Sequence, residues 1–166
     1  EEIAAGLGID EVRVFLDRVR GDDGSARRVS IWVADRDPYA TAPIVSPLVD
    51  AETWSFWDAI PFGGAAQRRP VSMAMVFTAL LVGAIPRMGK TYAARIPAAA
   101  AALDPLVRLI PFDGKGGADW RPFAQVAYRC GFGARDAVVA HVAQVVKDCE
   151  LDMERRYDVL GGLPYD

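Results

Sequence analysis

Histidine and cysteine are scarce in this chain, which carries one histidine, His141, and two cysteines, Cys130 and Cys149, in 166 residues. Two cysteines cannot build the multi-bridge framework of a small secreted scaffold, and no CxxC or Cys/His spacing offers a metal-ligand set. They read as small apolar side chains in a reducing compartment. A charged-then-apolar leader is missing too, the chain beginning Glu1-Glu2. So is any apolar run of the about 20 residues that a membrane-spanning helix needs. The longest uncharged stretch of note, 71–86, runs straight into Gly89-Lys90-Thr91 and reads better as two buried strands. A cytoplasmic chain with no membrane segment is the expectation. Neither sign of charge dominates: 19 basic and 22 acidic side chains give a formal charge of −3. That excludes a generally basic nucleic-acid coat, while leaving room for a local phosphate or DNA site, because net charge does not report placement.

What is present is the balance of a folded domain, with 52% hydrophobic and 25% charged residues. The first twenty residues read as a helix or loop followed by a strand over 11–19. Residues 21–25, Gly-Asp-Asp-Gly-Ser, form a turn cluster. The next segment, 28–34, alternates Val29, Ile31 and Val33 against Arg28, Ser30 and Trp32, which is a strand signal. Pro38, Pro43 and Pro47 make 35–47 a connector. Residues 51–69 are loop-rich and hold Trp54, Phe56, Trp57 and Phe62, which read as packing under a loop, with adenine stacking as the alternative.

After residue 70 the pattern changes. Two apolar runs, 71–77 and 79–84, read as consecutive strands buried on both faces. A helix-forming run follows over 92–103. Pro97 within it removes the N–H that would bond the Ala93 carbonyl, so a kink or early stop near Ile96 is expected. A third buried strand over 106–112, the loop 113–117 and a long helix over about 135–160 complete the chain. That helix carries the apolar stripe Val138, Val142, Val145, Cys149 and Met153, with Asp152 able to pair with Arg155 or Arg156. This element order predicts an α/β fold with a parallel sheet flanked by helices. The division is a small N-terminal subdomain over 1–48, a connector over 49–70 and a core over 71–166.

The motif with chemistry in it is Ala84-Ile85-Pro86-Arg87-Met88-Gly89-Lys90-Thr91, a phosphate-loop pattern with Ala in place of the first Gly. Backbone amides of such a loop and of the first helical turn after it form a concave anion site. Gly89 allows close approach of the backbone to phosphates. Lys90 would reach the β- and γ-phosphates, and Thr91 would offer a hydroxyl to Mg²⁺. ATP or GTP binding is therefore expected at 84–92, with Tyr92 in the first helical turn; the bland alternative is a Gly-Lys-Thr that ends a strand and caps a helix. An apolar segment ending in Asp113 superficially resembles a metal-binding strand. It follows Lys90 too closely for that, and Asp113 and Lys115 are expected on the rim outside the phosphate shell. His141 reads as a boundary histidine, and Arg18, Arg20, Arg27 and Arg28 as a solvated strand end.

Three segments, in order, resemble a known family. Leu80-Leu81-Val82-Gly83 followed by the loop 84–91 resembles the phosphate loop of the FtsK/SpoIIIE DNA translocases in the form seen in actinobacterial members. Phe112-Asp113-Gly114-Lys115-Gly116-Gly117 is similar to the family's Asp-Pro-Lys element, with Gly114 where Pro is commoner. Met153-Glu154-Arg155-Arg156-Tyr157 is similar to its Met-Glu-Arg-Arg-Tyr helix. The opening, from Ile3 to Val14 and on to the strand around Ile31, is similar to the end of the small α+β subdomain before the motor core. The resemblance implies the first half of a RecA-like P-loop ATPase core that couples ATP hydrolysis to movement along double-stranded DNA. It implies a homo-oligomeric ring, a hexamer, with a parent protein anchored at the cell membrane and a role in chromosome segregation at division or in plasmid transfer. Gly89, Lys90 and Thr91 carry over as phosphate and Mg²⁺ ligands, with Lys90 catalytic and Ala84 to Met88 as the loop. The family's Walker B acidic pair matches nothing here, so this chain alone is expected to be inactive and to stop short of the full motor at Tyr165-Asp166. Two alternatives stay open: a nucleotide-binding or structural module without catalysis, and a related secretion ATPase that moves protein substrates.

Overall fold

The computed structural model describes residues 1–19 and 27–163. They fall into two units, one made of Glu1–Val49 with Pro61–Met73 and the other of Asp50–Ile60 with the chain from Ala74 onward. The segment 49–70 is thus shared between the units and contains a strand, β3 (Ile60–Gly64).

In the first unit, helix α1 (Glu2–Leu7) ends at Gly8, whose φ of 65° lets its amide turn back to the Ala4 and Ala5 carbonyls. The Asp10 side chain then accepts from the Val12 amide and starts a short 3₁₀ turn, Glu11–Arg13. Strand β1 (Val14–Arg18) follows and pairs antiparallel with β2 (Val29–Val33). The register sets Phe15 opposite Trp32, their rings 5.1 Å apart, and sets Val14 and Leu16 opposite Val33 and Ile31. The alternation expected over 28–34 is therefore realised as two sheet faces. The turn expected at 21–25 lies outside the described residues. Strands β3 and β4 (Pro70–Met73) form a second two-stranded sheet.

The second unit is built on two helices. Helix α2 (Lys90–Ala102) carries Pro97 in its interior yet continues to Ala102. The early stop expected near Ile96 does not occur. One lost hydrogen bond is outweighed because Pro97 is buried and the alanines after it are the best helix formers. Past α2, Asp104 is buried, and both its carboxylate oxygens accept backbone amides, Phe56 at 2.7 Å and Leu106 at 2.8 Å. The Trp54 amide donates to the Leu103 carbonyl alongside. Segment 54–56 is thereby fastened to the end of α2. Long helix α3 (Asp136–Gly161) matches the expected helix closely; its stripe is half-buried at Val138 and Val142, buried at Val145 and exposed at Cys149 and Met153.

The strands expected in this unit are mostly not formed. Of 71–77, only β4 reaches Met73; residues 79–84 have no ladder partner among the described residues, and Leu81 is 96% exposed. A strand buried on both faces needs neighbours on both edges and layers above and below, and none comes beside this one. Of 106–112, only β5 (Phe112–Asp113) pairs, parallel to β6 (Gly131–Phe132). Hydrogen bonds extend the approach, since Tyr128, Gly131 and Gly133 amides donate to Leu109, Pro111 and Asp113 carbonyls. Pro111 has no N–H to return, which keeps the ladder short. The described residues thus hold three two-stranded sheets, one of them parallel.

Gly131 sits where a Cβ would lie 2.8 Å from Phe112 Cδ1 and 3.1 Å from Val138 Cγ1. Gly131→Ala is expected to lower stability by about 1–3 kcal/mol through overpacking, read as a lower urea midpoint. The Asp104 carboxyl is held below its ordinary value by the Phe56 and Leu106 amides. Its stabilising contribution is present above the unfolded value of about 4 and is lost as pH falls through the lowered folded value. Asp104→Asn should therefore be less stable than the native chain at pH 7, and the gap should narrow below about pH 4 in denaturation series; a gap independent of pH would contradict this role.

Candidate phosphate-binding loop

Residues 84–89 form an exposed loop that opens directly into α2. Pro86 and Arg87 occupy a turn, and Arg87 has a φ of 66°. Proline followed by a positive φ is the pattern of a type II turn, in which the second position favours glycine. Arg87 holds it at a strain of about 1 kcal/mol or more. Gly89, the N-cap, has a φ of 75° and ψ of 14°, where glycine is free of that strain.

Because Gly89 has no side chain, α2 begins uncapped. The first intrahelical bond runs from the Ala93 amide to the Gly89 carbonyl, at 3.0 Å. The amides of Lys90, Thr91 and Tyr92 are therefore left with no partner among the described residues. Lys90 Nζ folds back over the loop and donates to the Ala84 carbonyl at 2.8 Å and to the Ile85 carbonyl at 3.3 Å. The lysine thus closes the loop on itself. Thr91 is half-buried, whereas Ile85, Met88 and Tyr92 are exposed. The Arg95 guanidinium lies 5.8 Å from the Tyr92 ring centre and 5.7 Å from that of the buried Phe123, so it ties the first turn of α2 to the interior. All nine loop residues named from sequence, 84–92, are contiguous in one structural feature. Its donor set, three amides and one ammonium, is of the kind that holds phosphate oxygens.

Asp113 belongs to a different feature. Its Oδ1 accepts the Lys115 amide and its Oδ2 the Gly117 amide, both at 3.0 Å, while its carbonyl accepts the Gly116 and Gly133 amides. The carboxylate organises the 113–117 loop, which needs a φ of 65° at Gly116 where a Cβ would press on Gly133. No hydrogen bond or ion pair among the described residues joins Asp113 or Lys115 to the loop 84–92. His141 is exposed and meets the Phe112 ring edge-on at 6.0 Å. In the arginine group, Arg20 lies outside the described residues, while Arg18 faces Val29 across the β1–β2 ladder. Trp54 and Phe56 are held to the end of α2 as above, and Trp57 packs edge-on to the exposed Phe77 at 6.3 Å.

One cluster was not legible from spacing. Arg129 forms an ion pair with Asp148, whose other oxygen accepts from Gln144 at 2.9 Å. The guanidiniums of Arg108 and Arg129 lie 4.9 and 5.5 Å from the Tyr128 ring centre. The pairing with Asp148 raises the Arg129 value, and Arg129 with Gln144 holds Asp148 below the usual carboxylate range. Gln144 and Asp148 stand four apart on α3 and could have been paired from sequence; Arg129 reaches them only through the chain reversal at β6. No helix among the described residues is long and apolar enough to cross a membrane. Compared with family models, curated proteins and solved structures, the chain gives no match.

Asp113→Ala should free the 113–117 loop and cost about 1–2 kcal/mol of stability, visible as faster amide exchange at Lys115 and Gly117. ATP affinity should stay unchanged; a loss comparable to that of a Lys90 variant would place Asp113 in the phosphate site instead.

Proposed function

We propose that residues 84–92 bind the phosphates of ATP, and that the chain is the nucleotide-binding part of a P-loop ATPase that moves double-stranded DNA. The observation that supports the first half is the set of three amides at the start of α2 without a partner among the described residues, together with the Lys90 ammonium held on the loop carbonyls. Partnerless helix-start amides and a positive helix terminus attract phosphate. Lys90 would exchange its bonds to Ala84 and Ile85 for β- and γ-phosphate oxygens, and Thr91 would turn its hydroxyl to Mg²⁺. ATP supplies the transferable γ-phosphate. The DNA half rests on the resemblance of three ordered segments to the FtsK/SpoIIIE translocases. In that reading the fold is a RecA-like core and the working form a homo-oligomeric ring, although residues 79–84, which would enter the loop as a strand, have no ladder partner among the described residues.

A second reading, nucleotide binding without hydrolysis, is favoured by one specific observation. Asp113, which ends the apolar segment 106–112, has both carboxylate oxygens engaged by backbone amides. Its carboxylate is committed to shaping the 113–117 loop, and no hydrogen bond or ion pair among the described residues joins it to residues 84–92.

Lys90→Ala should weaken Mg-ATP binding at least tenfold in a calorimetric titration, with the melting temperature unchanged because its partners are carbonyls of an exposed loop. Unchanged affinity would refute the phosphate-loop reading. ATP turnover by the complete parent protein, stimulated by duplex DNA, is the expected sign of the translocase; binding without turnover would leave the non-catalytic module as the function.

A further inference from the structure

The phosphate loop does not account for the segment Met153-Glu154-Arg155-Arg156-Tyr157, nor for the Tyr128–Arg129 cluster. Both border one open recess of about 710 Å³ in the second unit. Four guanidiniums line it, from Arg108, Arg129, Arg155 and Arg156, against two carboxylates, Asp148 and Asp152. Arg129 is paired with Asp148, and Arg156 donates to Asp152 at 2.9–3.0 Å. Arg108 and Arg155 have no carboxylate partner among the described residues. Two positive charges are thus left uncompensated in a recess on a chain whose net charge is −3.

Placement of those charges is partly pre-set. Arg108 stacks over the Tyr128 ring at 4.9 Å, which limits its rotamers without using its N–H groups. The two ion pairs occupy the neighbouring guanidiniums of Arg129 and Arg156. Behind the charges, Ile110, Val145 and Leu151 supply an apolar wall. A cavity of this size fits a ligand of nucleotide dimensions. A guanidinium fork matches a phosphate bidentately, and two free forks match the two charges of a phosphate monoester.

We propose that this recess binds a small organic phosphate, with Arg108 and Arg155 gripping a terminal phosphate monoester and the Ile110–Val145–Leu151 wall receiving the organic part. A nucleic-acid backbone is a poorer fit. Binding to it grows with the number of phosphates neutralised, and this recess offers two unpaired cations flanked by Asp148 and Asp152. The site is separate from the phosphate loop, and it stands or falls independently of that loop.

The test titrates the full 166-residue chain with AMP and with inorganic phosphate by calorimetry at low salt. In the Lys90→Ala background, which disables the phosphate loop, AMP should bind more tightly than inorganic phosphate does, and at least tenfold more weakly once the Arg108→Gln/Arg155→Gln double variant is made in that background with native circular dichroism. Asp152→Asn, which releases Arg156 from its ion pair, should tighten AMP binding several-fold, and this gain is readable even if the double variant fails to fold. The proposal is overturned if AMP shows no binding at millimolar concentration, if the double variant binds it unchanged, or if Lys90→Ala alone abolishes it. It is equally overturned if a short oligoglutamate peptide or a DNA duplex binds the recess residues more tightly than AMP.

Discussion

The interaction on which the second unit turns is the grip of the Asp104 carboxylate on two backbone amides, one local and one from a distant part of the chain. Phe56 is 48 residues before it and Leu106 two residues after it, and each takes one oxygen. A buried carboxylate without donors would be costly; here it is satisfied, and it fixes three segments at once. Helix α2 ends against it, segment 54–56 is held beside that end by the further bond from the Trp54 amide to the Leu103 carbonyl, and the chain leaves toward β5 in a set direction. Removing the carboxylate would leave the Trp54 amide to Leu103 carbonyl bond as the remaining backbone tie between segment 54–56 and the end of α2 among the described residues.

That anchor lies at the C-terminal end of α2, and the candidate phosphate loop at its N-terminal end. The helix is therefore fastened at one end and open at the other. The open end is where strain and unsatisfied donors gather: Arg87 in a left-handed conformation, Gly89 as a cap without a side chain, three free amides and a lysine folded onto loop carbonyls. Strained backbone and unmet hydrogen-bonding capacity persist where a ligand can relieve them. The tie from Arg95 to the buried Phe123 keeps the first turns of α2 in place without closing the loop.

Apolar surface is the other constraint. The exposed area is 13,114 Å², against about 9,600 Å² for two separate compact units of the same masses. Large apolar side chains are exposed in the segment before the loop, where Phe77 is 99% and Leu81 96% exposed, and in the C-terminal half of α3, at Met153, Tyr157 and Leu160. Ile60 is the only large side chain among the described residues that is fully enclosed.

Local chemistry was readable directly. The long helix α3, its stripe at Val138, Val142 and Val145, the alternation of β2 and the joining of the Gly89-Lys90-Thr91 loop to α2 all follow from spacing and from residue types whose preferences act over one or two turns. Residues 71–84 and 106–112 were not decided this way. Their apolar composition specifies burial, but a strand exists only through its neighbours, and ladder partners are a property of the whole chain. Pro97 shows the same division: its local preference is to stop a helix, while its burial and the alanines beside it carry the helix on. The sequence by itself determined where the long helices run and that the Gly89-Lys90-Thr91 loop opens into one of them. Only tertiary structure decided that Asp113 serves its own loop, that Asp104 fastens segment 54–56 to α2, and that Arg108, Tyr128, Arg129 and the Arg155-Arg156 pair share one recess, because each depends on contacts between residues far apart along the chain.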